Sequence, residues 1–153
     1  MADTVEARVT HNSPAKAEQL YDAWLNPRQI RQWMAASLQQ SGLAGEMIAC
    51  GTDPVVGGAF LFSDRRDGVE ARHWGHYRQL ERPKKLVFTW ITSEAEANDP
   101  SKVTILIEPA AEGTGTVVTL SHEMLAKWEQ YRDRTERSWQ RMLEQIDIVL
   151  AGP

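Results

Sequence analysis

The chain has one cysteine, Cys50, which excludes an internal disulfide and any multi-cysteine metal site; a lone Cys is ordinarily a small buried apolar residue. It has no run of about 18 uninterrupted apolar residues, so no membrane span is expected. The start, Met1 to Glu6, lacks the basic stretch and apolar run of a signal peptide, and a cytoplasmic protein is expected. Basic charge is in short supply: 17 Lys+Arg stand against 21 Asp+Glu, a net charge of −4. Arg65-Arg66 and Lys84-Lys85 are too short to build the concentrated basic face that phosphate neutralisation needs, so no nucleic-acid partner is expected. No repeat, low-complexity tract or Pro/Gly/Ser-rich linker divides the sequence, and residues 1–153 read as one domain, long enough to bury about 70% of its surface without staples.

What is present is apolar and aromatic: 42% of residues are hydrophobic and six are Trp. Large flat side chains at that density must line a core, a cavity or an interface. Val5, Ala7 and Val9 alternate with polar neighbours, the period of a strand with one wet face. Asn12-Ser13-Pro14 supplies a cap and a proline at a first helical position, so a helix is predicted from about Pro14, with Ala17, Leu20, Tyr21 and Trp24 at helical spacing. Asn26-Pro27 interrupts it before a second short helix carrying Ile30, Trp33 and Met34.

Beyond Ser41-Gly42 the pattern becomes a meander of strands between turn residues. Met47 to Cys50, Ala59 to Ser63, Glu70 to Leu80, Leu86 to Trp90, Val103 to Glu108 and Thr116 to His122 are the predicted strands. Asp67-Gly68 marks a hairpin, and Gly57-Gly58, Glu81-Arg82-Pro83, Asn98-Asp99-Pro100 and Gly113-Thr114-Gly115 mark the other breaks. From Met124 to Leu150 a helical period returns, with Trp128, Tyr131, Thr135, Trp139, Met142, Ile146 and Val149 on one face. About 24 residues give a helix about 36 Å long, enough to cross a sheet. The expected class is α+β: a curved antiparallel sheet of about six to seven strands around a long C-terminal helix, with two short helices after the first strand. A gap beside that helix is a candidate pocket.

The segments DPVVGGAFLF (53–62), GHYRQLERPKKLVFTW (75–90) and GTVVTLSH (115–122) resemble the signatures of one group in the SRPBCC (START-like, birch-pollen-allergen-like) superfamily, the group named after the activator of the ninety-kilodalton heat-shock protein's ATPase. The resemblance covers nearly the whole chain. It implies a helix-grip fold whose internal cavity takes apolar small molecules, and through the group's name a link to stress response and a chaperone partner. The sequence departs from the pattern at Ala59, where an Arg or Lys is usual, and at Ser138, where a Gly is usual. A shared fold does not transmit chemistry.

Four histidines are present. His73 and His76 fall on opposite faces of a regular strand and cannot grip one ion, so no metal is expected. His122 shares the parity of Val118 and Leu120, and His73 that of Tyr77, which aims both at the cavity or its rim. Gly57-Gly58 lacks a following Lys-Ser/Thr and reads as a turn, not a phosphate loop. No Gly-x-Ser-x-Gly elbow occurs and Cys50 has no activating partner in sequence. Glu46 and Asp53 read as solvated carboxylates. Glu129, Arg132, Asp133, Arg134, Glu136 and Arg137 read as the wet face of the terminal helix.

The aromatic set remains. Phe60, Phe62, Tyr77, Phe88 and Trp90 from the sheet and Trp128, Tyr131 and Trp139 from the terminal helix are expected to converge, with His73, Tyr77 and His122 as orienting hydrogen-bonding groups. Such a lining suits an apolar or amphipathic small molecule, held without a cofactor. A filled core with no ligand is the alternative, and the sequence leaves both open. Two further readings are a chaperone-ATPase-modulating module and a cyclase or hydrolase acting on an aromatic or polyketide-like substrate, with His73 or His122 as general base. Trp24 and Trp33 are candidates for the cavity mouth or for a homodimer surface, as is an exposed sheet edge.

Overall fold

A computed structural model describes residues 3–152; Met1 and Ala2, part of the stretch read for a signal peptide, and Pro153 lie outside the described residues. The elements run β1 (Thr4–Ser13), α1 (Ala17–Ala23), α2 (Pro27–Gln40), β2 (Glu46–Thr52), β3 (Ala59–Arg66), β4 (Val69–Glu81), β5 (Lys85–Trp90), β6 (Ser101–Pro109), β7 (Thr116–Leu125) and α3 (Arg132–Ala151), with 3₁₀ turns at Glu94–Glu96 and Ala126–Tyr131. Seven strands form one antiparallel sheet in the order β1-β7-β6-β5-β4-β3-β2. This is the helix-grip arrangement: the sheet curves around α3, and α1 and α2 cover the remaining side.

Alternation decides which residues face α3. One row of paired positions crosses the sheet from Ala7 through His122, Val103 and Phe88 to Tyr77. All five are buried. Flanking rows add Val9, Leu120, Ile105 and Leu86, also buried. Trp139, Leu143 and Ile146 close the core from α3, spaced by four and three residues on one helical stripe. Charged and polar residues of β1 (Glu6, Arg8, Thr10) and α3 (Asp133, Arg137, Glu144) occupy the opposite faces and are exposed.

Curvature has local causes. Between the Trp74–Ile91 bridge and the Tyr77–Phe88 pair the β4–β5 ladder is interrupted, and Thr89 Oγ1 accepts from the His76 amide at 2.9 Å; the backbones come so close there that a Cβ on Gly75 would lie 2.1 Å from the Thr89 carbonyl oxygen. Only glycine permits that approach, and it falls beside the aromatic residues of β3 and β5. The β3–β4 hairpin turns on Asp67 (φ 50) and Gly68 (φ 79), the two left-handed positions of a type I′ turn.

Several boundaries differ from the predicted ones. β1 continues through Asn12 and Ser13, so Ser13 does not cap a helix at Pro14; its hydroxyl bonds Asp147 Oδ1 at 2.5 Å, and α1 begins at Ala17. Asn26 does cap α2, its Oδ1 accepting from the amides of Arg28 and Gln29 at 2.9 and 3.2 Å. The largest correction is at the terminal helix. β7 runs to Leu125, because Met124 is still paired with Val5 and buried, and a 3₁₀ turn precedes the first α-helical residue, Arg132. Trp128 and Tyr131 lie in this turn, ahead of α3, and are exposed instead of sharing the buried face that Trp139 occupies.

Candidate binding site

The site is an aromatic cluster between the curved sheet and α3. Phe60 and Phe62 stack at 5.0 Å between ring centroids. Phe60 reaches Tyr77 at 5.3 Å, Phe88 at 5.5 Å and Trp90 at 6.1 Å. Trp90 meets Trp139 of α3 at 5.1 Å, and the two histidines flank that pair, His73 stacking on Trp90 at 5.2 Å and His122 meeting Trp139 edge-on at 5.8 Å. The structure thus brings together Phe60, Phe62, His73, Tyr77, Phe88, Trp90, His122 and Trp139. It does not bring in Trp128 and Tyr131, which are 39% and 40% exposed and pair with each other outside the core at 5.9 Å. Lys127 Nζ lies 5.2 Å from the Trp128 ring.

Trp24 joins the cluster and was not among the residues expected to line it. It sits in the short connection between α1 and α2, 5% exposed, packed on Trp33 at 5.0 Å, Trp139 at 6.1 Å and Phe88 at 6.4 Å. Its place on the apolar stripe with Ala17, Leu20 and Tyr21 was the available sequence signal. Trp33 is fully buried, its indole donating to the Ala23 carbonyl at 2.9 Å. Neither tryptophan offers a surface to another subunit, which corrects that expectation for the helix pair.

The rings leave little space. Trp24, Phe60, Phe62, Tyr77, Phe88 and Trp90 bound a cavity of about 10 Å³, at the threshold for a single water. The candidate pocket beside the helix is thus filled by side chains in this conformation, the filled-core alternative of the two that the sequence leaves open. A larger depression of about 490 Å³ lies outside, between β1 and α3, among Arg8, Glu136, Arg137, Gln140, Arg141 and Glu144; its charges of both signs suit no apolar ligand.

The two histidines differ. Trp139 Nε1 donates to His122 Nδ1 at 3.0 Å, and His122 Nε2 lies 2.8 Å from Ser101 Oγ. That hydroxyl in turn donates to the Trp90 carbonyl at 2.7 Å. The chain of donors fixes the Nε2–H tautomer. Burial pushes the His122 pKa down to about 4, and with both ring nitrogens engaged no lone pair is free to take a substrate proton. His73 is likewise held neutral, chiefly by burial and then by the Arg66 charge, but its Nδ1 has no partner. Trp24 Nε1 and Tyr77 Oη are also buried, and none of the described residues offers either a hydrogen bond. Burial first, then the nearby Asp53 charge, raises the Tyr77 pKa, so its hydroxyl stays protonated.

Cys50 is half-buried on the edge strand β2, its thiol pKa raised by desolvation, which disfavours the reactive thiolate. Among the described residues no group of three or more His, Cys, Asp or Glu side chains is placed to hold a metal ion. No helix among them is long and apolar enough to cross a membrane.

Comparison with known proteins agrees with this architecture. No curated protein matches the sequence. A structure of a protein of unknown function from Staphylococcus aureus, SA2116, is similar with a TM-score of 0.78 at 18% identity, covering 98% of each chain. PFC0360w, described as an HSP90 activator from Plasmodium falciparum, is similar with a TM-score of 0.70 at 20% identity over 97% of each chain. CalU16 from Micromonospora echinospora aligns with a TM-score of 0.62 at 20% identity over 99% of this chain and 78% of that one. The family model described as "Activator of Hsp90 ATPase homolog 1-like protein" matches residues 14–151, and the chain belongs to that family.

Proposed function

We propose that the protein binds an apolar or amphipathic small molecule inside the helix-grip core, without covalent chemistry. The observation that carries this reading is the set of buried polar atoms without partners, Trp24 Nε1, Tyr77 Oη and His73 Nδ1, on rings of one aromatic cluster. A core selected only for stability satisfies such groups or omits them, since each orphan costs about 1–3 kcal/mol. Trp24 and Tyr77 bound the small space among the rings, where a ligand would supply the missing partner. Entry requires the rings to part. Native mass spectrometry and tryptophan fluorescence with a panel of lipids and aromatic metabolites test the reading. Saturable binding of a member is expected, and no binding at micromolar concentrations would overturn it.

A second reading, modulation of a chaperone ATPase, is supported by the family and by the printed description of the Plasmodium relative. The exposed Trp128–Tyr131 pair with Lys127 beside it is the surface on which we place that contact. Under this reading, a Trp128→Ala/Tyr131→Ala double variant keeps its fold but fails to retain the chaperone in a pull-down. Equal retention by wild type and variant removes that surface from consideration.

A further inference from the structure

We infer that Trp24 and Tyr77 act as a pair of donors that selects a flat, uncharged aromatic molecule carrying an oxygen acceptor, such as an aryl ketone, over a hydrocarbon or a fatty acid. This rests on the binding reading above and narrows its ligand class.

The argument begins with the atoms. An indole N–H can only donate, so whatever partners Trp24 Nε1 must bring a lone pair. Tyr77 Oη, on a residue 2% exposed, stays protonated for the reasons given and donates as well. Both rings pack against Phe88, each at 6.4 Å between centroids, and both bound the same small space, Trp24 from the helix side and Tyr77 from β4. The remaining wall is rings: Phe60 stacks on Phe62 and on Trp90 with interplanar angles of 29° and 27°. A flat molecule matches those faces better than a flexible chain does.

Charge narrows the class further. The six residues bounding the space carry no ionised group, and the neutral His73 and His122 nearby supply no cation. A carboxylate drawn inside would lose its hydration with nothing to replace it, a far larger cost than any donor pair returns. A hydrocarbon avoids that cost but leaves both donors orphaned. A neutral ketone oxygen satisfies a donor without importing charge.

The experiment is a titration of isotopically labelled protein followed by amide and indole nitrogen–proton correlation spectra. The probes are 1-indanone, its oxygen-free counterpart indane, and palmitate. 1-Indanone is expected to bind several-fold, up to about tenfold, more tightly than indane, the range that one additional hydrogen bond supplies. The indole proton of Trp24, assigned by its loss in Trp24→Phe, is expected to move downfield with the ketone only. Tyr77→Phe keeps the ring and removes only an unpartnered hydroxyl, so it folds; in it the ketone preference is expected to shrink. Indane binding as tightly as 1-indanone, or palmitate displacing 1-indanone from the ring-lining resonances, overturns this inference and leaves the binding reading standing. If none of the three probes shifts any resonance of the cluster, both fall.

Discussion

Each aromatic residue of the cluster has a distinct consequence when changed. Trp139 is buried, spans Trp24 and Trp90, and donates to His122, so Trp139→Ala is expected to cost about 3–5 kcal/mol in a urea titration. Trp128→Ala, at a half-exposed ring, is expected to stay within about 0.5 kcal/mol of wild type in the same measurement. Tyr77→Phe is expected to leave the melting temperature unchanged or raise it, because it deletes a buried hydroxyl that bonds nothing. His122 sets a pH dependence. Its pKa is about 4 in the fold against 6.5 for the free side chain, so the neutral ring is the form the fold holds. Its contribution is full above about pH 6.5, declines as the pH falls and is lost on passing about pH 4, a loss of a few kcal/mol. Urea midpoints between pH 7 and pH 4 check the slope, and His122→Phe should flatten it. The inward position of His122 was legible from its parity with Val118 and Leu120. Its fixed tautomer was not, because Ser101 and Trp139 lie far from it along the chain and only the folded pairing brings them within reach.

At the scale of elements, local signals were read correctly where they act locally. Asn26-Pro27, read as a break between two helices, is one; the structure adds that Asn26 caps α2, and Asn26→Ala is expected to lose about 1 kcal/mol of thermal stability. Asp67-Gly68 turns the β3–β4 hairpin. The signals failed where a distant partner competes. Ser13 has the composition of a helix cap, yet Asp147 on α3 takes its hydroxyl and also lies 2.6 Å from His11 Nε2, tying the first strand to the last helix. Trp128 and Tyr131 carry the spacing of the apolar stripe, yet they fall in the 3₁₀ turn that joins β7 to α3 and not on α3 itself, and nothing in their side chains announces that turn. Gly75 lies on the element that bends, and Gly75→Ala is expected to cost more than about 2 kcal/mol, because its Cβ would collide with the Thr89 backbone. Thermal unfolding of that variant checks the value.

For the molecule as a whole, the order of elements and the concave sheet around a terminal helix followed from periodicity and turn residues. Most of the ring cluster followed as well. The state of the cavity did not, since empty space is a small difference between a large enclosed volume and the large volume of its side chains. One rotated indole changes it. Trp24 is a case in point: read from the sequence as a candidate for the cavity mouth or a subunit surface, it is one of the six rings that bound the space, pressed on Phe88, a position that came only with the fold. Because the cluster draws on α1–α2, β3, β4, β5 and α3 together, loss of tryptophan near-ultraviolet circular dichroism and of far-ultraviolet signal is expected to coincide in one transition. Separate midpoints would show that the short helices melt alone.

The first strand in the chain is zipped to the last: Thr4 lies opposite Leu125 and Ser13 opposite Thr116. A polypeptide emerging from a ribosome must therefore hold Ala7 and Val9 without their native neighbour until more than a hundred further residues have been made. The sheet closes late, and such long-range closure is slow. Arrested nascent chains ending before Thr116 should be digested readily by protease, while those exposing residues through α3 should resist it.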